Sequence, residues 1–196
     1  MQKTLTALLF LLLSGQVKAQ NSNLFERQLF IQGKDTLPCR ILTPLNYSRS
    51  KKYPLIIFMH GAGERGNDNE SQLKWGSHLF VDSLNRVRYP AIVVFPQCPK
   101  DSTWSNVSRG NVTDSLGGFT FYADRPLRKP MELLLNFIDT LVKSGNVDKE
   151  RIYVGGLSMG GFGTFEILWR RPELFAAAVA ICGGGNPQQV KLYNKK

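Results

Sequence analysis

Ser158 is the residue of this chain best placed to do chemistry. It lies within RIYVGGLSMGGFG, positions 151–163, where a short apolar run (Ile152, Tyr153, Val154) leads directly into glycines. Gly156 and Gly160 stand two residues before and two after it, so Gly156-Leu157-Ser158-Met159-Gly160 spells G-x-S-x-G, a nucleophile elbow. The spacing has a steric cause. A serine on so sharp a strand-to-helix turn sits in strained backbone, and side chains two residues to either side would collide there. The turn lifts the hydroxyl above the sheet. It also aims the first N–H groups of the following helix at a carbon under attack, where a developing oxyanion needs donors.

A second constellation follows the apolar run Leu55 to Met59: His60-Gly61-Ala62-Gly63-Glu64-Arg65-Gly66. Positions 61–66 spell G-x-G-x-x-G, which raises a dinucleotide site. That site needs a helix opening on the last glycines and an acid ending a second strand. The sequence has instead a polar loop, Asn67-Asp68-Asn69-Glu70, and Asp82 lies in a poor helix, Leu73 to Leu84, interrupted by Gly76. The reading favoured is H-G-x-G, with Gly61 and Gly63 shaping a loop that supplies the second oxyanion donor of a serine hydrolase. No cofactor and no metal is expected. Cys39, Cys98 and Cys182 match no metal-ligand spacing. One disulfide is open to them in an oxidising compartment, as is burial as small apolar residues.

The elements that must carry these residues alternate along the chain. Leu24 to Ile31 and Leu37 to Leu42 read as a hairpin turning at Gln32-Gly33-Lys34-Asp35. Leu55 to Met59 reads as a strand buried on both faces, and Ala91 to Phe95 as another, ended by Pro96. Positions 97–129 show little periodicity. They are expected either to wall the substrate pocket or to form a surface excursion around Trp104, Phe119, Phe121 and Tyr122. Met131 to Val142 has helical spacing, with Pro130 at its start and Gly145 at its exit. The elbow strand, a helix Gly161 to Arg171 and a strand Phe175 to Cys182 complete a mostly parallel α/β sheet.

Composition sets the class. Of 196 residues, 42% are apolar and 20% charged, which suits one globular domain. Lys3, the apolar run Leu5 to Leu13 and Val17-Lys18-Ala19 read as a signal peptide over 1–19, cleaved after Ala19, leaving a domain over 20–196. The expected location is therefore secreted or periplasmic, with no membrane span. Without Lys3 and Lys18 the formal charge falls from +10 to +8. The basic residues are scattered in small groups, which reads as solvated surface and not as a nucleic-acid face. Asn46, Asn106 and Asn111 begin N-x-Ser/Thr sequons.

With elbow, loop and strand order together, the chain resembles the α/β-hydrolase family. It is most similar to secreted carboxylesterases of the polyhydroxybutyrate-depolymerase and feruloyl-esterase type, a group that includes predicted peptidases. The stretches carrying the resemblance are 53–66, 95–99 (Phe95-Pro96-Gln97-Cys98-Pro99), 151–161 and 181–185. The resemblance implies a three-layer sandwich with Ser158 as nucleophile and the N–H groups of Ala62 and Met159 as the oxyanion hole. It implies that His60 braces the loop, with Glu64 and Arg65 fixing its structure. The implied substrate is a small-molecule or polysaccharide-linked acyl ester. The family's acid and histidine follow the serine, yet after Ser158 the chain has no Asp and no His, only Glu166 and Glu173. The expectation is a domain incomplete at its C-terminus and lacking the last two strands of the family sheet. The alternatives are a catalytically inactive remnant or binding module, a serine peptidase of the prolyl-oligopeptidase type, and an arrangement in which His78 is the base.

Overall fold

The computed structural model describes residues 22–110 and 118–194. The signal-peptide reading and the Asn111 sequon lie outside these residues. A short 3-10 turn, Ser22–Leu24, leads into the antiparallel hairpin β1 (Glu26–Gln32) and β2 (Asp35–Leu42). Then come β3 (Tyr53–Met59), the short helices α1 (Ser77–Val81) and α2 (Ser83–Arg88), and β4 (Ile92–Pro96). The second half holds α3 (Lys129–Lys143), β7 (Val147–Leu157), α4 (Met159–Arg170) and β8 (Ala177–Ile181).

Strand order in the sheet is β1-β2-β4-β3-β7-β8. The pairings β4–β3, β3–β7 and β7–β8 are parallel, and the two at the β1 edge are antiparallel. This is the mixed, mostly parallel sheet that the alternation of elements predicts. Its parallel strands all end on the side where loop 60–66 and Ser158 emerge, the usual place for a site in such sheets.

Each face of the sheet has its own core. Leu55, Ile57 and Met59 of β3 pack with Ile152 and Val154 of β7 and with Leu134, Ile138 and Ile167 of α3 and α4. On the other face Phe25, Val93 and Phe95 pack with Ile56, Phe58, Phe80 and Val81. The faces are not equally covered. Leu55, Ile57 and Met59 are fully buried, while Ile56 and Phe58 are only partly so. The reading of β3 as buried on both faces is therefore corrected: α1 and α2 are too short to roof their side of the sheet.

Two further differences have local causes. β7 begins five residues before the apolar run, at Val147, because Val147 pairs with Tyr53 before a register shift carries Ile152 opposite Leu55. The polar residues between them sit in that irregularity and hide the strand's start. The segment 97–129 is not aperiodic throughout. It contains a two-stranded antiparallel ladder, β5 (Val107–Arg109) and β6 (Phe119–Phe121), too short to show alternation.

Candidate active site

Ser158 joins β7 to α4 with φ 53° and ψ −111°, outside the regions an L-residue favours. It is exposed between half-buried Leu157 and buried Met159. Its backbone is tied on both sides: Ser158 N donates to the Ile181 carbonyl at 2.8 Å, and the Ser158 carbonyl accepts Phe162 N at 3.0 Å. The elbow is thus pinned to the end of β8 and to the first turn of its helix. The glycines are required by contact. A Cβ on Gly156 would overlap the Gly160 carbonyl, and one on Gly160 would overlap the Met59 carbonyl at the end of β3. Met159 is the first residue of α4. The first N–H groups of a helix have no acceptor within it, so the Met159 N–H needs a partner from outside α4.

Loop 60–66 reaches the elbow at Gly61, where a Cβ would stand 3.8 Å from the Ser158 Cβ and 3.6 Å from the Leu157 carbonyl. Ala62 to Glu64 form one 3-10 turn and the chain then runs on as a loop. The helix that a dinucleotide site needs on the last glycine does not form. Ala62 and Gly63 are exposed, on the same end of the sheet as Ser158.

His60 is 3% exposed and both its ring nitrogens are engaged. The Cys98 N–H donates to Nε2 at 2.9 Å, which makes Nε2 an acceptor. Nδ1 must then carry the proton and donate to the Gly61 carbonyl at 2.6 Å. Burial pushes the imidazole below its ordinary pKa, against the opposing pull of the Gly61 bond and Glu64. A neutral, doubly bonded His60 holds the loop and has no lone pair for a proton from Ser158. His78 lies exposed on α1, and among the described residues no hydrogen bond joins it to Ser158. The arrangement with His78 as base is not formed.

The resemblance gave Glu64 and Arg65 the task of fixing the loop but left Gln97 and Asp68, which hold loop 60–69 from below, without a role. Gln97 is fully buried just after β4. Its Nε2 donates to Asp68 Oδ1 at 2.7 Å and to the Glu64 carbonyl at 3.3 Å, while its Oε1 accepts Asn69 N at 2.7 Å. Asp68 Oδ1 also accepts the N–H groups of Glu70 and Ser71. Partial burial would raise the Asp68 carboxyl, but these bonds hold it well below the usual carboxylate range. Glu64 accepts Trp75 Nε1 at 3.1 Å, and Arg65 donates to the carbonyls of Ala62 and Ser102. Trp104, completely buried, donates to the His60 carbonyl at 3.2 Å. A polar Gln directly after a continuous apolar strand was the one signal available in the sequence.

Asn106 is 3% exposed and bonded through its side chain, so its sequon is a structural asparagine. Cys39, Cys98 and Cys182 are all free thiols. Burial pushes Cys98 up to about 12 and Cys39 higher still. An apolar cavity of about 370 Å³ is lined by Leu42, Ile56, Phe80, Arg86 and Val93 under α1 and α2, at the opposite end of the strands from Ser158. Among the described residues no helix is long and apolar enough to cross a membrane.

Positions 128–193, which include Ser158, match the model of the prolyl oligopeptidase family. The crystal structure of a thermostable esterase superposes with a TM-score of 0.74 at 36% identity, over 88% of this chain and 44% of that one. Acetylxylan esterase A of Emericella nidulans is 30% identical over 48% of this chain and 28% of its own length. Lysophospholipase-like protein 1 of Mus musculus is 28% identical over 69% of this chain and 56% of its own. The chain has the fold of the α/β-hydrolases and is similar in sequence to esterases of that family over part of their length. It spans about half the length, or less, of the relatives it matches.

Proposed function

We propose that this chain carries the nucleophile and oxyanion half of a serine ester hydrolase. The single observation that supports this most is the strained, exposed Ser158 at the start of α4, held against Gly61 of the oxyanion loop. Ser158 Oγ attacks the ester carbonyl carbon, the C=O electron pair moves onto oxygen, and the N–H groups of Met159 and Ala62 receive the oxyanion. Collapse expels the alcohol and leaves an acyl-enzyme, which water hydrolyses to the acid. The proton of Oγ needs an acceptor, and His60 is committed elsewhere. We read the base and its acid as belonging to chain beyond Lys196 in a longer parent, in line with the greater length of the relatives. The substrate class is a small or polysaccharide-linked acyl ester. The N-terminal pattern of Lys3, Leu5–Leu13 and Val17-Lys18-Ala19 supports export with cleavage after Ala19, and a mature chain starting at Gln20 is its mass-spectrometric signature.

The experiment is hydrolysis of p-nitrophenyl acetate by a parent extended past Lys196, with and without Ser158→Ala. An acyl-enzyme burst lost in the variant supports the reading, and equal rates oppose it. The match of positions 128–193 to the prolyl oligopeptidase model favours one second reading, a serine peptidase. Cleavage of peptide p-nitroanilides in preference to esters by the same parent would select it.

A further inference from the structure

Glu166 lies about two turns along α4 from Ser158 and is 6% exposed. A carboxylate so placed persists only when its oxygens are bonded. Oε2 accepts the Asn106 N–H at 2.7 Å, and Oε1 accepts Asn106 Nδ2 at 3.1 Å and Arg170 Nη2 at 3.3 Å. Asn106 Nδ2 also donates to the Pro126 carbonyl at 2.7 Å, and the Asn106 carbonyl accepts Tyr122 N at 3.0 Å. Arg170 Nη2 donates in turn to the Arg125 carbonyl at 2.5 Å. The residues flanking the β5–β6 ladder on both sides are therefore bonded to one carboxylate and to the guanidinium paired with it.

That ladder carries rings toward the serine. Phe119 and Phe121 of β6 pack on Phe162, with ring centroids 4.8 and 6.2 Å away. Phe162 is in the first turn of α4, its N–H bonded to the Ser158 carbonyl. Gly184, past β8, closes the far side; a Cβ there would stand 3.3 Å from Phe162 and 3.5 Å from Phe121. All three rings are half-buried, so apolar surface stays open one helical turn from Ser158.

We propose that Glu166 is a positioning residue. With Arg170 it clasps the β5–β6 ladder to α4, and so fixes a wall of Phe119, Phe121 and Phe162 that favours bulky acyl groups at Ser158. An apolar side chain would fill the same space. Only a side chain with two acceptor oxygens can hold a backbone N–H, an amide and a guanidinium together. The claim on acyl selectivity rests on the proposed role of Ser158, whereas the clasp does not.

The test uses the full chain as wild type, Glu166→Gln and Glu166→Ala. Hydrogen exchange is followed by mass spectrometry, and labelling rates are compared for a small alkyl and a bulky aryl fluorophosphonate. In Glu166→Ala the amides of 107–109 and 119–121 are expected to exchange about ten- to hundredfold faster, the effect of losing bonds to a charged group. Those of β3 and β7 stay as in wild type, and Glu166→Gln, keeping one acceptor oxygen, falls between. The aryl-to-alkyl labelling ratio is expected to drop roughly fivefold in Glu166→Ala, the scale of a lost aromatic contact. Unchanged ladder protection in Glu166→Ala overturns the clasp. Lost protection with an unchanged ratio overturns the selectivity wall. If Glu166→Ala loosens β3 and β7 as well, Glu166→Gln decides: faster exchange confined to the ladder supports the clasp, and wild-type protection overturns it. No labelling of Ser158 by either probe overturns the role of Ser158 and the wall with it, while the exchange data still judge the clasp.

Discussion

Ser158 keeps φ 53° because its N–H is held by Ile181 and its carbonyl by Phe162, so the elbow cannot relax without breaking both bonds. Backbone strain of this kind costs on the order of 1–3 kcal/mol. Glycine adopts such a conformation freely, so Ser158→Gly is expected to raise stability to urea by about 1 kcal/mol while removing the hydroxyl. A drop in the urea midpoint would show that the turn is not strained. Gly160→Ala is the opposite case. Its Cβ would occupy the Met59 carbonyl, and backbone cannot swing aside as a side chain can. A loss of at least about 2 kcal/mol is expected, the upper range of overpacking, read as a lowered thermal midpoint.

Loop 60–69 is irregular, and its order comes from polar groups on neighbouring elements: His60 on Cys98, Gln97 on Asp68 and Asn69, Trp104 on His60. Gln97→Ala removes the central anchor and leaves buried partners unpaired, a loss of about 2–4 kcal/mol by urea denaturation. The same bonds give a pH dependence. The folded His60 pKa is lowered, so as pH falls below about 6.5 the unfolded chain takes the proton first and stability declines. Asp68 adds to this at lower pH. Its folded pKa is depressed, so its contribution is present above about 4 and is lost as pH falls further. Urea midpoints at pH 8, 6 and 4.5 should descend in that order, and a flat profile would contradict the neutral His60. Little of this was legible in the sequence. The glycines of G-x-S-x-G announce themselves, since each answers a local steric demand. Gln97, Trp104 and Asn106 act through bonds to residues far along the chain, which no local pattern encodes. The ladder of β5 and β6 escaped because three residues per strand are too few to show a period of two.

At the scale of the whole molecule, the order of apolar runs was enough to predict the sheet, because buried parallel strands and amphipathic helices alternate visibly. Coverage of its two faces was not, since it depends on helix length and position. β8 is the last strand of the sheet, and Val179 is 63% exposed on it. An open apolar edge invites pairing with a second strand. Val179→Lys is expected to lower self-association at high concentration, measured by light scattering, with little change in folding. The elbow, loop 60–66 and the start of α4 meet at Ser158, and the central claim is that this arrangement makes Ser158 reactive. The direct measurement is incubation of the 196-residue chain with a fluorophosphonate, followed by peptide mapping. Even without a base, an oxyanion site retains roughly 10³-fold acceleration over water. The phosphonate is therefore expected on Ser158, slowly, and absent from Ser158→Ala. A folded chain that stays unlabelled, or is labelled elsewhere, would contradict the assignment.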